Sequence, residues 1–173
     1  MGTLSKAELD RFLERSDIIA ILASLDETQA PYQVPVWYEW DGHYLWIVTK
    51  PRARYVTHLR GDPRVAVCIA RPKLPYVRVL IQGAAELLPT DLEWLPMGYR
   101  MAHRYLGKTR GRAYIDKTKH WKRVYIRVKP TAILSWDGGV SGHEWGKRYV
   151  EDGDRPADQM GRRRTPRTRT RGK

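Results

Sequence analysis

The 173-residue chain contains one cysteine, Cys68. That excludes an intramolecular disulfide framework and any zinc site built from several cysteines, and it suits a reducing compartment. No apolar run approaches the roughly 18 residues of a membrane span, and no basic segment leads into an apolar core at the start. A cytoplasmic protein with no membrane partner is therefore expected. Also missing are a glycine-lysine phosphate loop, a glycine-rich dinucleotide fingerprint and a Gly-x-Ser-x-Gly nucleophile elbow. The histidines (His43, His58, His103, His120, His143) are too dispersed to place two on one helix face beside a carboxylate, so a zinc hydrolase has no support.

Acids are scarce as well, 19 against 32 Lys and Arg, for a net charge of +13 that favours anionic ligands. Residues 159–173 hold no acid but carry Arg162, Arg163, Arg164, Arg167, Arg169, Arg171 and Lys173. With few apolar residues to offset ordering entropy, the chain from 140 to 173 is expected to be a disordered basic tail behind one domain at 1–139. The tail's cations could release counterions from nucleic-acid phosphates, although a solubilising end is the preferred reading. Phenylalanine occurs once, against ten Tyr and seven Trp. Most aromatic surface thus has a polar handle, as ligand-facing or interface positions require, with compositional drift as the competing explanation.

What is present reads mostly as strands. Ser5-Lys6-Ala7-Glu8 has capping-box spacing and predicts a helix over about 6–15 with Leu9, Phe12 and Leu13 on one face. Ile18–Leu22 reads as a buried strand and Tyr32–Trp40 as a second. Asp41-Gly42 then predicts a hairpin to a strand over His43–Thr49. A short helix follows, ended by Gly61-Asp62-Pro63. Alternation over Arg64–Ala70 predicts a strand that would place Cys68 in the core, and Val77–Leu88 predicts another. Thr90-Asp91-Leu92-Glu93 repeats the capping-box spacing and predicts a helix to about Tyr105, closed by Gly107. Residues 108–121 are ambiguous, and Val124–Leu134 is a last strand. The fold class expected is mainly β: a six-stranded antiparallel barrel with short connecting helices.

Two features carry chemical information. Pro35 removes a ladder donor from the second strand, which marks an edge, a bulge or a ligand wall. Lys50, Arg52 and Arg54 crowd the start of the short helix, where free N–H groups already carry positive charge, beside the Thr49 hydroxyl. Either an anion such as phosphate binds there, or an arginine-rich chain has produced an exposed basic cluster by chance.

The order of segments resembles a known family. It runs from Val34-Pro35-Val36-Trp37-Tyr38-Glu39-Trp40-Asp41-Gly42 to Leu45-Trp46-Ile47-Val48-Thr49. A basic turn then leads to Leu59-Arg60-Gly61-Asp62-Pro63-Arg64-Val65-Ala66-Val67, and Gln82-Gly83-Ala84-Ala85-Glu86-Leu87 follows. Over about residues 5–137 this is similar to the pyridoxamine 5′-phosphate oxidase-like split β-barrel superfamily, nearest its flavin- and deazaflavin-dependent oxidoreductases. The resemblance implies a six-stranded split barrel and a homodimer with FMN or the deazaflavin coenzyme F-420 at the subunit interface. It implies hydride exchange with a small organic substrate. Val34, Pro35, Val36 and Trp37 would line the ring. Val48 and Thr49 would sit beside the ribityl and phosphate end, Lys50 and Arg54 would hold the phosphate, and Arg78 would contact the cofactor from a neighbouring strand. Tyr55 stands where many members have a second basic residue. Tyr38, Tyr44, Tyr76 and Trp37 are candidate substrate walls, and Trp136 is a candidate cover for the ring from the other subunit. No catalytic residue is named. A split barrel that binds flavin or haem without turnover is the alternative.

Overall fold

The computed structural model describes residues 3–15, 18–90 and 93–138. The expected tail over 140–173, and with it the nucleic-acid reading, lies outside the described residues. Seven strands form one antiparallel sheet: β1 (Ala20–Leu25), β2 (Pro31–Val36), β3 (Glu39–Trp40), β4 (Leu45–Thr49), β5 (Arg64–Ala70), β6 (Val77–Thr90) and β7 (Arg123–Asp137). Their order across the sheet is β2-β1-β5-β6-β7-β4-β3. The two outermost strands are consecutive in the chain, with only Trp37 and Tyr38 between them. The backbone therefore leaves one edge of the sheet and enters the other within two residues, which curls the sheet around its core into a split barrel.

That step explains why seven strands appear where six are expected. A stretch hydrogen-bonded to β1 on one edge cannot also continue the ladder with β4 on the other, so Tyr32–Trp40 bends at Trp37–Tyr38 into β2 and β3. Pro35 pairs across from Ile21 on the edge strand β2, where a missing N–H is tolerated.

Period-two alternation points Leu22, Ile47, Val67, Ile69, Val79, Ile81 and Ile126 into the barrel, where each is almost fully buried. Helix α1 (Lys6–Leu13) covers one opening with Leu9, Phe12 and Leu13. Its capping box is present: Ser5 Oγ accepts from Glu8 N, and the Glu8 carboxylate accepts from Ser5 N at 2.8 Å. Helix α2 (Arg54–Gly61) contributes Tyr55, Val56 and Leu59. None of the described helices is long and apolar enough to cross a membrane.

Several local expectations need correction. The hairpin loop is four residues, Asp41–Tyr44, because Asp41 Oδ1 accepts from His43 N at 2.8 Å and Tyr44 N at 2.7 Å and so holds both out of the ladder. Gly42, at φ 95°, supplies the positive dihedral that this loop requires. The capping-box reading at Thr90 fails because the ladder with β7 runs on to pair Thr90 with Arg123. Helix α3 (Leu95–Leu106) starts later, with no side-chain cap. The ambiguous stretch after Gly107 is a helix, α4 (Lys108–Thr118). Cys68 is half-buried and not in the core, since Val65, Val67 and Ile69 take the inward face of β5.

Helices α3 and α4 form a hairpin inserted between β6 and β7, and they touch at Gly111. A Cβ there would lie 2.6 Å from the Ala102 carbonyl carbon and oxygen. Gly111→Ala must therefore push the helices apart, and a loss of about 1–3 kcal/mol, the usual range for overpacking, is expected in urea denaturation. An unchanged midpoint would contradict this close approach.

Candidate functional site

A cleft of about 460 Å³ opens where three strand ends meet. Pro35, Val36 and Trp37 come from the end of β2, Ile47, Val48 and Thr49 from the end of β4, and Arg123 from the start of β7. The turn carrying Lys50, Arg52 and Ala53 closes one side, and Tyr55 of α2 and Tyr114 of α4 complete the lining. This turn forms because Pro51 cannot extend the β4 ladder and Ala53 N donates back to Lys50 O at 3.0 Å.

One wall is aromatic. Trp37 stacks on Tyr105 with ring centroids 5.2 Å apart and planes 11° from parallel, and it meets Tyr114 edge-on at 5.7 Å. These contacts fix the indole plane before any ligand arrives. The opposite side is polar. Tyr55 Oη donates to Thr49 Oγ1 at 2.7 Å, and burial pushes the Tyr55 phenol above its ordinary pKa, so it remains a protonated donor. With its oxygen accepting from Tyr55, the Thr49 hydroxyl keeps its own proton to donate.

The cations decide the electrostatics. Arg123 is 7% exposed, and its guanidinium lies 5.1 Å from the Trp94 ring centroid and 5.4 Å from that of Trp121. Its Nε is buried without a hydrogen-bond partner among the described residues. Lys50 Nζ lies 4.4 Å from the Trp121 centroid. Lys50, Arg52 and Arg123 thus line one cleft that has no carboxylate among the described residues of its lining. A desolvated guanidinium with an orphaned donor is costly unless an anion completes it, so the arrangement fits a phosphate-bearing ligand beside a flat aromatic wall. Among the described residues no group of three His, Cys, Asp or Glu could hold a metal ion.

Of the residues expected from sequence, Pro35, Val36, Trp37, Val48, Thr49, Lys50 and Tyr55 come together in this cleft. Three do not. Val34 points inward and packs on the main core. Arg54 lines a separate cleft of about 580 Å³ with Asp26, Glu27, His58 and Asp62, and its guanidinium lies 5.5 Å from the Tyr32 ring. The helical turn causes this divergence: residues 54 and 55 leave α2 about 100° apart, and Tyr55 takes the cleft direction. Arg78 is exposed on the outer face of the sheet, 5.6 Å from the Trp136 ring. Of the candidate substrate walls only Trp37 lines the cleft, and Tyr38 is wholly buried. Arg123, Tyr114 and Trp94 went unrecognised. The available signal was an arginine two residues after Trp121 at the start of a strand.

The profile of the pyridoxamine 5′-phosphate oxidase family matches residues 5–137. The chain belongs to this split-barrel family. Among solved structures it is similar to a conserved hypothetical protein from Mycobacterium tuberculosis, at 25% identity and TM-score 0.62, covering 87% of this chain and 93% of that one. An F-420 reductase aligns at 23% identity and TM-score 0.57, over 72% of this chain and 94% of its own. The haem storage protein HutZ from Vibrio cholerae aligns at 16% identity and TM-score 0.58, over 76% and 95%. Curated proteins give no match.

The Tyr55–Thr49 bond can be tested apart from any ligand. Tyr55→Phe should cost about 1 kcal/mol in denaturant unfolding, the usual net worth of such a bond. Because the folded pKa of Tyr55 is raised, the stabilisation by the neutral phenol is fully present below about pH 10 and is lost as pH rises through the raised value. The variant should lack that alkaline loss. Equal stability of the two proteins at neutral pH would remove this bond from the site, whereas the alkaline loss reports the burial of the phenol.

Proposed function

We propose that this split barrel is a flavin-type oxidoreductase using FMN or the deazaflavin coenzyme F-420, and that it works as a homodimer in the cytoplasm. The observation that carries the reading is the orphaned Arg123 Nε in an acid-free cleft walled by Trp37 and Tyr114. When bound, the cofactor supplies hydride transfer at its ring, and the protein supplies orientation, charge and water exclusion. Arg123, Lys50 and Arg52 neutralise the phosphate, and the Thr49 hydroxyl donates to it. The edge segment from Pro35 to Trp37 would face the ring, with the Trp37 indole and Val48 beside it. A small organic substrate enters on the side of Tyr114, the more exposed wall. No side chain of the cleft needs to act as acid or base.

The dimer reading rests on the outer face of the sheet. Pro35, Ile21, Cys68, Leu80 and Leu134 are cross-strand partners in one row over five strands, none of them in the core. Such a continuous apolar row suits a second copy of the chain. Pro35 belongs to both this row and the cleft, so a partner docked here would border the cofactor. Arg78 and Trp136 pair in the neighbouring row and would be carried toward the partner's cleft, which gives Arg78 a role its own cleft does not.

For the haem alternative, no His, Cys or Met among the described residues lines the cleft, so a haem there would draw its iron ligand from a tyrosine such as Tyr114. Absorption spectra of the protein with FMN, coenzyme F-420 or haem decide between the readings. A bound flavin or deazaflavin is expected, while a Soret band without either would reverse the assignment. Lys50→Ala combined with Arg123→Gln should weaken cofactor binding at least roughly tenfold, and Arg54→Ala should leave it unchanged. Leu80→Arg should convert a dimer to a monomer in light scattering while the circular dichroism spectrum is retained. A wild-type monomer at all concentrations would end the dimer reading.

A further inference from the structure

The cleft does not stop at Arg123. A second basin of about 380 Å³, lined by Lys50, Pro51, Arg52, Trp121 and Lys122, adjoins it and shares Lys50 and Arg52 with it. One short segment serves both, with Arg123 in the first and Trp121 and Lys122 in the second. Trp121 is anchored by its backbone N–H, which donates to Thr118 O at 3.0 Å at the end of α4.

We propose that the two basins form one continuous site for a ligand carrying two anionic groups in succession, a first phosphate held at Arg123 and a second phosphate or carboxylate held at Lys122. The inference rests on the cofactor reading above and narrows it. Four cations line the pair of basins, no acid lines either, and none of them takes part in an ion pair among the described residues. A phosphate monoester at the inner station leaves the outer cations uncompensated, whereas a longer anion neutralises both stations. Lys50 and Arg123 both lie against the Trp121 ring, so the outer basin presents charge rather than a bare aromatic face. The second anion has two chemical sources: the diphosphate of a flavin dinucleotide, or the carboxylates of a deazaflavin's acidic tail.

The test uses the full chain and tryptophan fluorescence. FMN, FAD and glutamate-tailed coenzyme F-420 are titrated into wild type and Lys122→Ala, with inorganic phosphate and pyrophosphate as competitors. Lys122 is exposed and lines only the outer basin, so its loss should not disturb folding. Wild type should prefer a ligand with a second anion over FMN. Lys122→Ala should weaken that ligand roughly three- to tenfold, between an exposed ion pair and a charge-assisted hydrogen bond, and leave FMN unchanged. Whichever of FAD and F-420 responds identifies the source. If Lys122→Ala changes no ligand, or weakens FMN equally, the two-station proposal fails while the cofactor reading stands. If no flavin binds but pyrophosphate binds more tightly than phosphate and depends on Lys122, the two stations stand and the cofactor reading falls.

Discussion

The structure depends on the two-residue step that joins the edges of the sheet. Trp37 and Tyr38 leave the ladder of β1 and enter that of β4, and their side chains go opposite ways. Tyr38 turns inward, wholly buried, and its hydroxyl donates to Leu13 O at 2.7 Å, which ties the end of α1 to the seam. Trp37 turns into the cleft. Arg104 of α3 lies 4.6 Å from the Tyr38 ring centroid and donates to the carbonyls of Leu13 and Arg15, so α3 is docked on the same point. A carbonyl cluster at a helix end is a natural seat for a guanidinium. The closure that completes the barrel is thus also what aims the indole into the cleft.

Charge is distributed with the same economy. The paired cations are on the surface, as in Arg64 with Asp62, Arg100 with Glu39 and Arg127 with Glu86. Arg64 holds the Asp62 carboxyl down to a pKa of about 2, but such exposed pairs add little to stability. The cleft is different because Lys50 and Arg123 lie against aromatic rings and, among the described residues, take part in no ion pair. Trp94 and Trp121 hold the Arg123 guanidinium in place without neutralising it, which keeps its charge available to a ligand. A carboxylate in the same position would stabilise the free protein and abolish the anion site.

Most of the barrel was legible in the sequence because strand alternation is a local property. Val65, Val67 and Ile69 announce β5, and Ser5 with Glu8 announces α1, with no knowledge of the rest. The anion site was half legible. Thr49 and Lys50 follow directly from the end of β4, but Arg54 and Arg123 differ only in what surrounds them. Arg54 leaves α2 on the side of Tyr32, whereas Arg123 is enclosed because α3 brings Trp94 to it across the fold. That pairing is long-range and leaves no periodic trace. The failed capping box at Thr90 has the same origin, since a local hydrogen-bond preference lost to an extended ladder whose far strand begins more than thirty residues later.

The two walls of the cleft also differ in how firmly they are held. The anion side is built on strand ends continuous with the main core, where opening costs much of the barrel's stability. The Tyr114 side belongs to α4, the outer helix of the hairpin, which adds only Ile115 to a small cluster with Trp94 and Ala102 and fits against α3 because Gly111 carries no Cβ. Locally, a unit with so few buried apolar side chains opens at lower cost than a barrel core. On the cofactor reading proposed above, ligand exchange would therefore proceed by movement of α4 past the strand ends. On that reading the phosphate end of the cofactor would be held by the strand ends and the substrate side would face the helix that yields, so one domain could retain its cofactor while admitting and releasing a smaller molecule.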